Sequence, residues 1–153
     1  MRVIFLDIDG VLNSSKFLDG VGNVSLGSAY FDRKAVKVLN KIVDLTGAVI
    51  VISSSWRRIF SLSTLKRFLK ESGFKGKVIG KTPAKSHDIR GLEIKEWLDR
   101  PENESIVSFA ILDDDSNGIE NLRDHFVQTD WETGLQSEHA ELAVRMLMNG
   151  SQN

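Results

Sequence analysis

Two stretches of the chain, Val3-Ile4-Phe5-Leu6 and Ala48-Val49-Ile50-Val51-Ile52, are apolar at every position, and a third from Ile106 to Leu112 is nearly so. Runs this short and this rich in β-branched residues read as strands buried on both faces, the pattern of a parallel sheet. Lys77-Val78-Ile79-Gly80 is a weaker run of the same kind, and Phe126-Val127-Gln128 reads as an edge strand. Between the strands the apolar spacing becomes helical. Ala35, Val36, Leu39, Ile42 and Val43 predict a helix capped by Asp32 and stopped by Gly47. Leu65, Phe68 and Leu69 predict one from Leu62 to Ser72, and Ile94, Trp97 and Leu98 one from Arg90 to Leu98, ending before Pro101. A short helix around Ile119 to Asp124 and a last one capped by Ser137 complete the series. Residues 13–30 are Ser/Gly-rich without a clear period, and are expected to be a flap or a plain surface loop. The alternation of strand and helix predicts an α/β fold: a Rossmann-like three-layer α/β/α sandwich with a five-stranded parallel sheet.

Such sheets bind ligands beyond the carboxyl ends of their strands. The polar residues cluster there. Asp7-Ile8-Asp9-Gly10 follows the first strand, Ser53-Ser54-Ser55-Trp56-Arg57-Arg58 the second long run, and Asp113-Asp114-Asp115 the third. Alone, the first group reads equally well as a strand entering an acidic turn. Three polar clusters at equivalent positions point instead to one site. Strand geometry turns Asp7 and Asp9 to the same side, and two such charges are costly to bury without a cation between them. Oxygen donors without Cys or His favour Mg²⁺ over zinc. Carboxylate, hydroxyl and cationic groups in that setting suit phosphoryl transfer: a carboxylate can attack phosphorus, hydroxyls can hold phosphoryl oxygens, and Lys or Arg can offset developing charge.

Composition narrows the setting. The chain has 153 residues, a 41% hydrophobic and 27% charged content, and no cysteine, which fits one globular domain without disulfides. We expect that domain to span 1–149, with 150–153 a flexible tail and a monomer as the default state. Asp7 and Asp9 interrupt the apolar N-terminus too early for a signal peptide or a membrane span, so a cytoplasmic location and no membrane partner are expected. A net charge of −1 argues against a broad nucleic-acid-binding surface. The charge is unevenly spread, however. Residues 56–95 carry eleven Lys and Arg against three Asp and Glu, whereas 99–141 carry two against twelve. A basic flank beside a cation site suits an anionic substrate.

The motifs in this order resemble the haloacid dehalogenase (HAD) superfamily of phosphotransferases. The resemblance implies Asp7 as nucleophile and Asp9 as the acid/base, Ser53 (or Ser54) as the phosphoryl-holding hydroxyl, and Arg90 as the cation, with Lys81 and Lys85 as rivals for that role. It further implies Mg²⁺ held by Asp7, the Asp9 carbonyl and Asp114, with Asp113 in support, and Gly10 completing the first motif. No large cap domain fits, since neither 13–30 nor 58–80 has room for one, and capless members tend to act on large or exposed phosphates. More narrowly, Val51-Ile52-Ser53-Ser54-Ser55-Trp56-Arg57, Arg90-Gly91-x-Glu93-Ile94-x-x-Trp97-Leu98 and Ile111-Leu112-Asp113-Asp114-Asp115 resemble the HAD domain of multi-domain RNA-repair proteins. That implies a phosphorylated substrate such as a nucleic-acid end. Arg57 and Arg58 either bind the substrate phosphate or sit in solvent. Trp56, Trp97 and Trp131 are expected to pack, with Trp56 the best placed to stack on a base. His87, His125 and His139 are isolated in the sequence. A phospho-accepting receiver-like domain shares this architecture and its acidic opening, but its acceptor follows a middle strand, and here that strand ends in serines. A small-molecule or nucleotide phosphatase is the other alternative, and a catalytically idle binding module the third.

Overall fold

A computed structural model describes residues 1–84 and 89–150. Five strands, β1 (Arg2–Leu6), β2 (Val49–Ile52), β3 (Val78–Lys81), β4 (Ser108–Asp113) and β5 (Phe126–Gln128), form one all-parallel sheet in the order β3-β2-β1-β4-β5. The chain therefore winds outward from β1 to β3, returns past β1, and continues to β5. The reversal lies between β1 and β4, the place where such sheets open a crevice.

Side-chain alternation along the central strands divides the core in two. Ile4 and Leu6 of β1, Ile50 and Ile52 of β2, and Ala110 and Leu112 of β4 point to one face, which is covered by three helices. These are α2 (Arg33–Thr46), α3 (Leu62–Glu71) and α5 (Ser137–Asn149). Val3, Phe5, Val51 and Ile111 point to the other face, where Ile94 and Trp97 of α4 (Arg90–Leu98) meet them. Phe5 packs edge-on against Trp97 with ring centroids 5.4 Å apart. Each such fully buried apolar side chain contributes about 1.5–3 kcal/mol. The continuous apolar runs thus have their cause: the central strands are covered on both sides. The five-stranded three-layer expectation holds, without a large cap.

Three local details differ from the sequence reading. Residues 13–30 contain a helix, α1 (Ser15–Val21), capped by Ser14 Oγ on Phe17 N at 3.2 Å, and a 3₁₀ turn at Ser28–Tyr30. None of α1 is buried, and a helix of seven residues with so few apolar positions shows no period. It is tied to the far side of the chain by Ser15 N to Trp131 O at 2.9 Å. The helix expected near 119–124 is a 3₁₀ segment, Glu120–His125. The cap of α5 is Gln136 rather than Ser137, in a reciprocal box with His139; His125, for its part, stacks on Phe109. His87 lies outside the described residues. Among the described residues no helix is long and apolar enough to cross a membrane.

Candidate active site

The ends of β1, β2 and β4 are level. Ser53 N donates to Leu6 O at 2.8 Å and Asp7 N to Leu112 O at 3.0 Å, so the ladder runs one residue past the strands and carries Asp7, Ser53 and Asp113 into register. Asp7 and Asp113 are buried. Their carboxylates and that of Asp114, half-buried, offer oxygens that all lie within 4.8 Å of one another. Arg90, the first residue of α4, spans the pair: its Nε is 3.0 Å from Asp113 Oδ2 and an Nη is 3.8 Å from Asp7 Oδ2.

Gly10 allows the acidic groups this close. Its φ is +80°, and a Cβ there would lie 2.4 Å from the Asp114 carboxyl carbon. The turn that follows is held by side chains. Asn13 Oδ1 accepts from Gly10 N at 3.0 Å, and Thr129 Oγ1 donates to Gly10 O at 2.6 Å.

Asp9 does not join the three-carboxylate cluster. Its Oδ1 accepts from Asn13 Nδ2 at 2.9 Å and its Oδ2 from Trp56 Nε1 at 3.1 Å. Trp56 itself is buried and edge-packed on Phe31 and Phe68, so it orients Asp9 rather than offering a stacking face.

The serines divide their tasks. Ser54 Oγ accepts from Trp56 N at 3.3 Å and its hydroxyl lies against Asp7. Ser53 Oγ is buried without a hydrogen-bond partner among the described residues. Buried hydroxyls are seldom left so, and an unengaged donor at a strand end is what a phosphoryl oxygen requires.

Arg57, considered above for substrate or solvent, is at neither. It is buried, and its donors reach Ser54 O at 2.7 Å, Thr82 O at 3.2 Å and Pro83 O at 3.2 Å, with a close ion pair to the buried Glu93. Arg58 is exposed and also reaches Glu93, at 3.7 Å. Lys81 Nζ donates to Arg57 O at 3.2 Å, which leaves Arg90 as the rival-set cation seen against the aspartates. Lys85 lies outside the described residues.

Asn13 and Thr129 had no assigned part in the sequence reading, Glu93 had only its place in a motif, and Trp56 was read as best placed to stack on a base rather than as the partner of Asp9. Asn13 has a usable signal, four residues after Asp9 on a tight turn. Thr129 has one too, directly after β5. Glu93 belongs to the Arg90-Gly91-x-Glu93 motif, but nothing there marks it as buried, because an acidic residue on a helix ordinarily faces water.

α4 reaches the site through a close backbone crossing. A Cβ on Gly91 would stand 1.6 Å from Gly118 O, in the loop after β4. The absence of a side chain lets the helix start directly above Asp113.

Burial and the Asp7 charge push the Asp113 carboxyl up to about 9, against the opposing pull of Arg90. Burial raises Asp7 as well. Both shifts have the sign of sites that a cation would relieve, and the all-oxygen donor set fits a hard divalent ion. The consequence for stability has a definite sign. The folded chain retains a proton that the unfolded chain releases near the ordinary value of 3.8, so stability falls as pH rises from there toward about 9. In chelator, the Tm is expected to decline between pH 5 and 8, and added Mg²⁺ to raise it by an amount that grows with pH. A Mg²⁺ shift independent of pH, measured by thermal unfolding, would remove this account.

A family model described as the HAD domain in Swiss Army Knife RNA repair proteins matches residues 3–140, a span that holds every group described above. No curated protein and no solved structure matches the chain.

Proposed function

The chain belongs to the family of HAD domains found in Swiss Army Knife RNA repair proteins, and from that premise we propose that it is a Mg²⁺-dependent phosphohydrolase acting on the terminal phosphates of polynucleotides. The observation that carries the reading is the convergence of Asp7, Asp113 and Asp114 under Arg90 at the switch point of the sheet.

In this reading an Asp7 oxygen attacks phosphorus in line with the leaving oxygen. The bond to the leaving group breaks, Asp9 gives that oxygen a proton, and an aspartyl-phosphate remains. Asp9, now ionised, takes a proton from water, whose oxygen attacks phosphorus and frees both phosphate and Asp7. Asn13 and Trp56 fix the carboxyl plane of Asp9 for both transfers. Ser53 donates to a phosphoryl oxygen, and Arg90 balances the charge that develops on the group in flight. Asp7, Asp113 and Asp114 would hold the cation, with the Asp9 carbonyl as a further ligand. When bound, it supplies charge that keeps the aspartates ionised and polarises the phosphoryl oxygen. Gly10 and Ser54 shape the floor of the site, whereas Arg57 is structural.

The test is a substrate panel in Mg²⁺: oligonucleotides phosphorylated at the 3′ or the 5′ end, mononucleotides, sugar phosphates and p-nitrophenyl phosphate. A preference of about tenfold or more in kcat/KM for one oligonucleotide end is expected, since contacts along a strand add transition-state binding that a mononucleotide lacks. Equal rates across the panel would sink the polynucleotide reading, and the absence of hydrolysis in any divalent metal would sink the phosphatase itself.

A further inference from the structure

Part of the basic excess over 56–95, namely Lys70, Lys75 and Lys77, gathers with Arg33, Lys34 and Lys37 of α2 away from the catalytic groups. Three shallow depressions adjoin along the outer edge of α2. The first, of about 530 Å³, lies between Phe17 of α1 and the start of α2. It shares Arg33 and Lys34 with a second, of about 360 Å³. The second shares Lys75 with a third, of about 620 Å³, between α3 and the start of β3. Arg33, Lys34, Lys37, Lys70, Lys75 and Lys77 line this path, and all six are exposed.

The acidic side chains on the path are engaged. Asp32 accepts from Lys34 N at 2.9 Å, and Glu71 pairs with Arg67 at 3.6 Å. Among the described residues the five lysines have no ion-pair partner. Lys34 and Lys37 stand three residues apart on α2, so they project to one side of the helix. Across from them Lys75 is fixed by its backbone, whose N–H bonds to Asn40 Oδ1 at 2.9 Å. The cations are therefore held on two walls. The upper end of the path is α1, whose cap Ser14 directly follows the Asn13 that holds Asp9.

We propose that this path is a nucleic-acid backbone track: a strand whose phosphates lie against the lysines of α2 and the 70–77 segment, running toward the catalytic aspartates. It rests on the polynucleotide reading above for what happens at the strand's end. Binding comes from phosphate neutralisation and is indifferent to base sequence, because the exposed groups along the path's two walls are cations. A narrow track also explains how a chain of net charge −1 can hold a polyanion.

The test is fluorescence anisotropy of a labelled RNA oligonucleotide with the full chain, beside hydrolysis of p-nitrophenyl phosphate. The wild type is expected to bind, with log K falling linearly in log salt by about 0.7 per phosphate contacted. Lys37→Glu/Lys75→Glu is expected to bind about tenfold or more weakly and to flatten that slope by about 1.4, while its p-nitrophenyl phosphate turnover stays at the wild-type level. Unchanged affinity in the double variant overturns the track. So does binding by the wild type to phosphatidylcholine–phosphatidylserine vesicles and not to RNA, which would make this face a membrane-surface site. The two readings fail separately: RNA bound through these lysines but not dephosphorylated removes the proposed substrate and leaves the track, whereas RNA dephosphorylated equally by wild type and double variant removes the track alone.

Discussion

Asp7→Asn is expected to lower kcat toward p-nitrophenyl phosphate by about 10⁴-fold or more, the scale on which losing an attacking group is felt. Asparagine has the same shape, so the ladder from Asp7 N to Leu112 O survives. The amide oxygen can still accept from Ile8 N, which bonds Asp7 Oδ1 at 2.8 Å. What disappears is the nucleophile and one of the three clustered carboxylates. The variant should therefore be inactive and, in chelator near neutral pH, at least as stable as the wild type, since the Asp7 charge no longer acts on Asp113. That pairing of outcomes separates a catalytic loss from a folding loss. Wild-type hydrolysis by the variant would take Asp7 out of the reaction; a large drop in Tm would mean that the carboxylate holds the fold and that the kinetic result reports on structure.

Gly91→Ala carries the second large effect. The added methyl would meet the backbone Gly118 O at 1.6 Å, and a Cβ has no rotamer, so no side-chain rotation relieves the contact. α4 must move away from the loop after β4, taking Arg90 with it. Displacing a positioned group by about 1 Å can cost about 10²-fold in rate. Overpacking of this kind destabilises by about 1–3 kcal/mol, and in a chain of this size each kcal/mol lowers Tm by about 2–4 °C. We expect a loss of about 10²-fold in kcat/KM with a measurable fall in Tm. Gly20→Ala is the control, because a Cβ there meets nothing within 4 Å. Equal behaviour of the two variants in steady-state kinetics and thermal unfolding would show that the α4 crossing does not position Arg90.

The groups most legible in the sequence are those whose place follows from strand ends. Asp7, Ser53 and Asp113 each come one residue beyond an apolar run or at its last position, and a parallel sheet sets such ends side by side. Arg90 was readable because it opens the helix before β4. Other roles depend on partners distant in the chain. Trp56 reaches Asp9 across 47 positions, and Thr129 reaches Gly10 across 119. The position of Thr129 directly after β5 is legible, but no local pattern names the partner of either residue. Arg57 misled for a physical reason: arginine in a polar loop is usually solvated, and only the buried Glu93 and three waiting carbonyls make its burial tolerable. α1 was hidden by its exposure, because a helix that buries nothing leaves no apolar stripe to read.

The Arg57–Glu93 pair has a bearing on how the molecule breathes. The loop carrying the serines and the helix carrying Arg90 belong to different crossovers, and without the pair each could loosen separately. Pulling one away would strand a charge in the interior of the other, which is far costlier than fraying a surface turn. The two arms are therefore expected to open together, a constraint that α1, with no buried residue, does not share. In the proposed reaction the Ser53 hydroxyl and the Arg90 guanidinium would then reach an incoming phosphate from two arms that this one ion pair ties together.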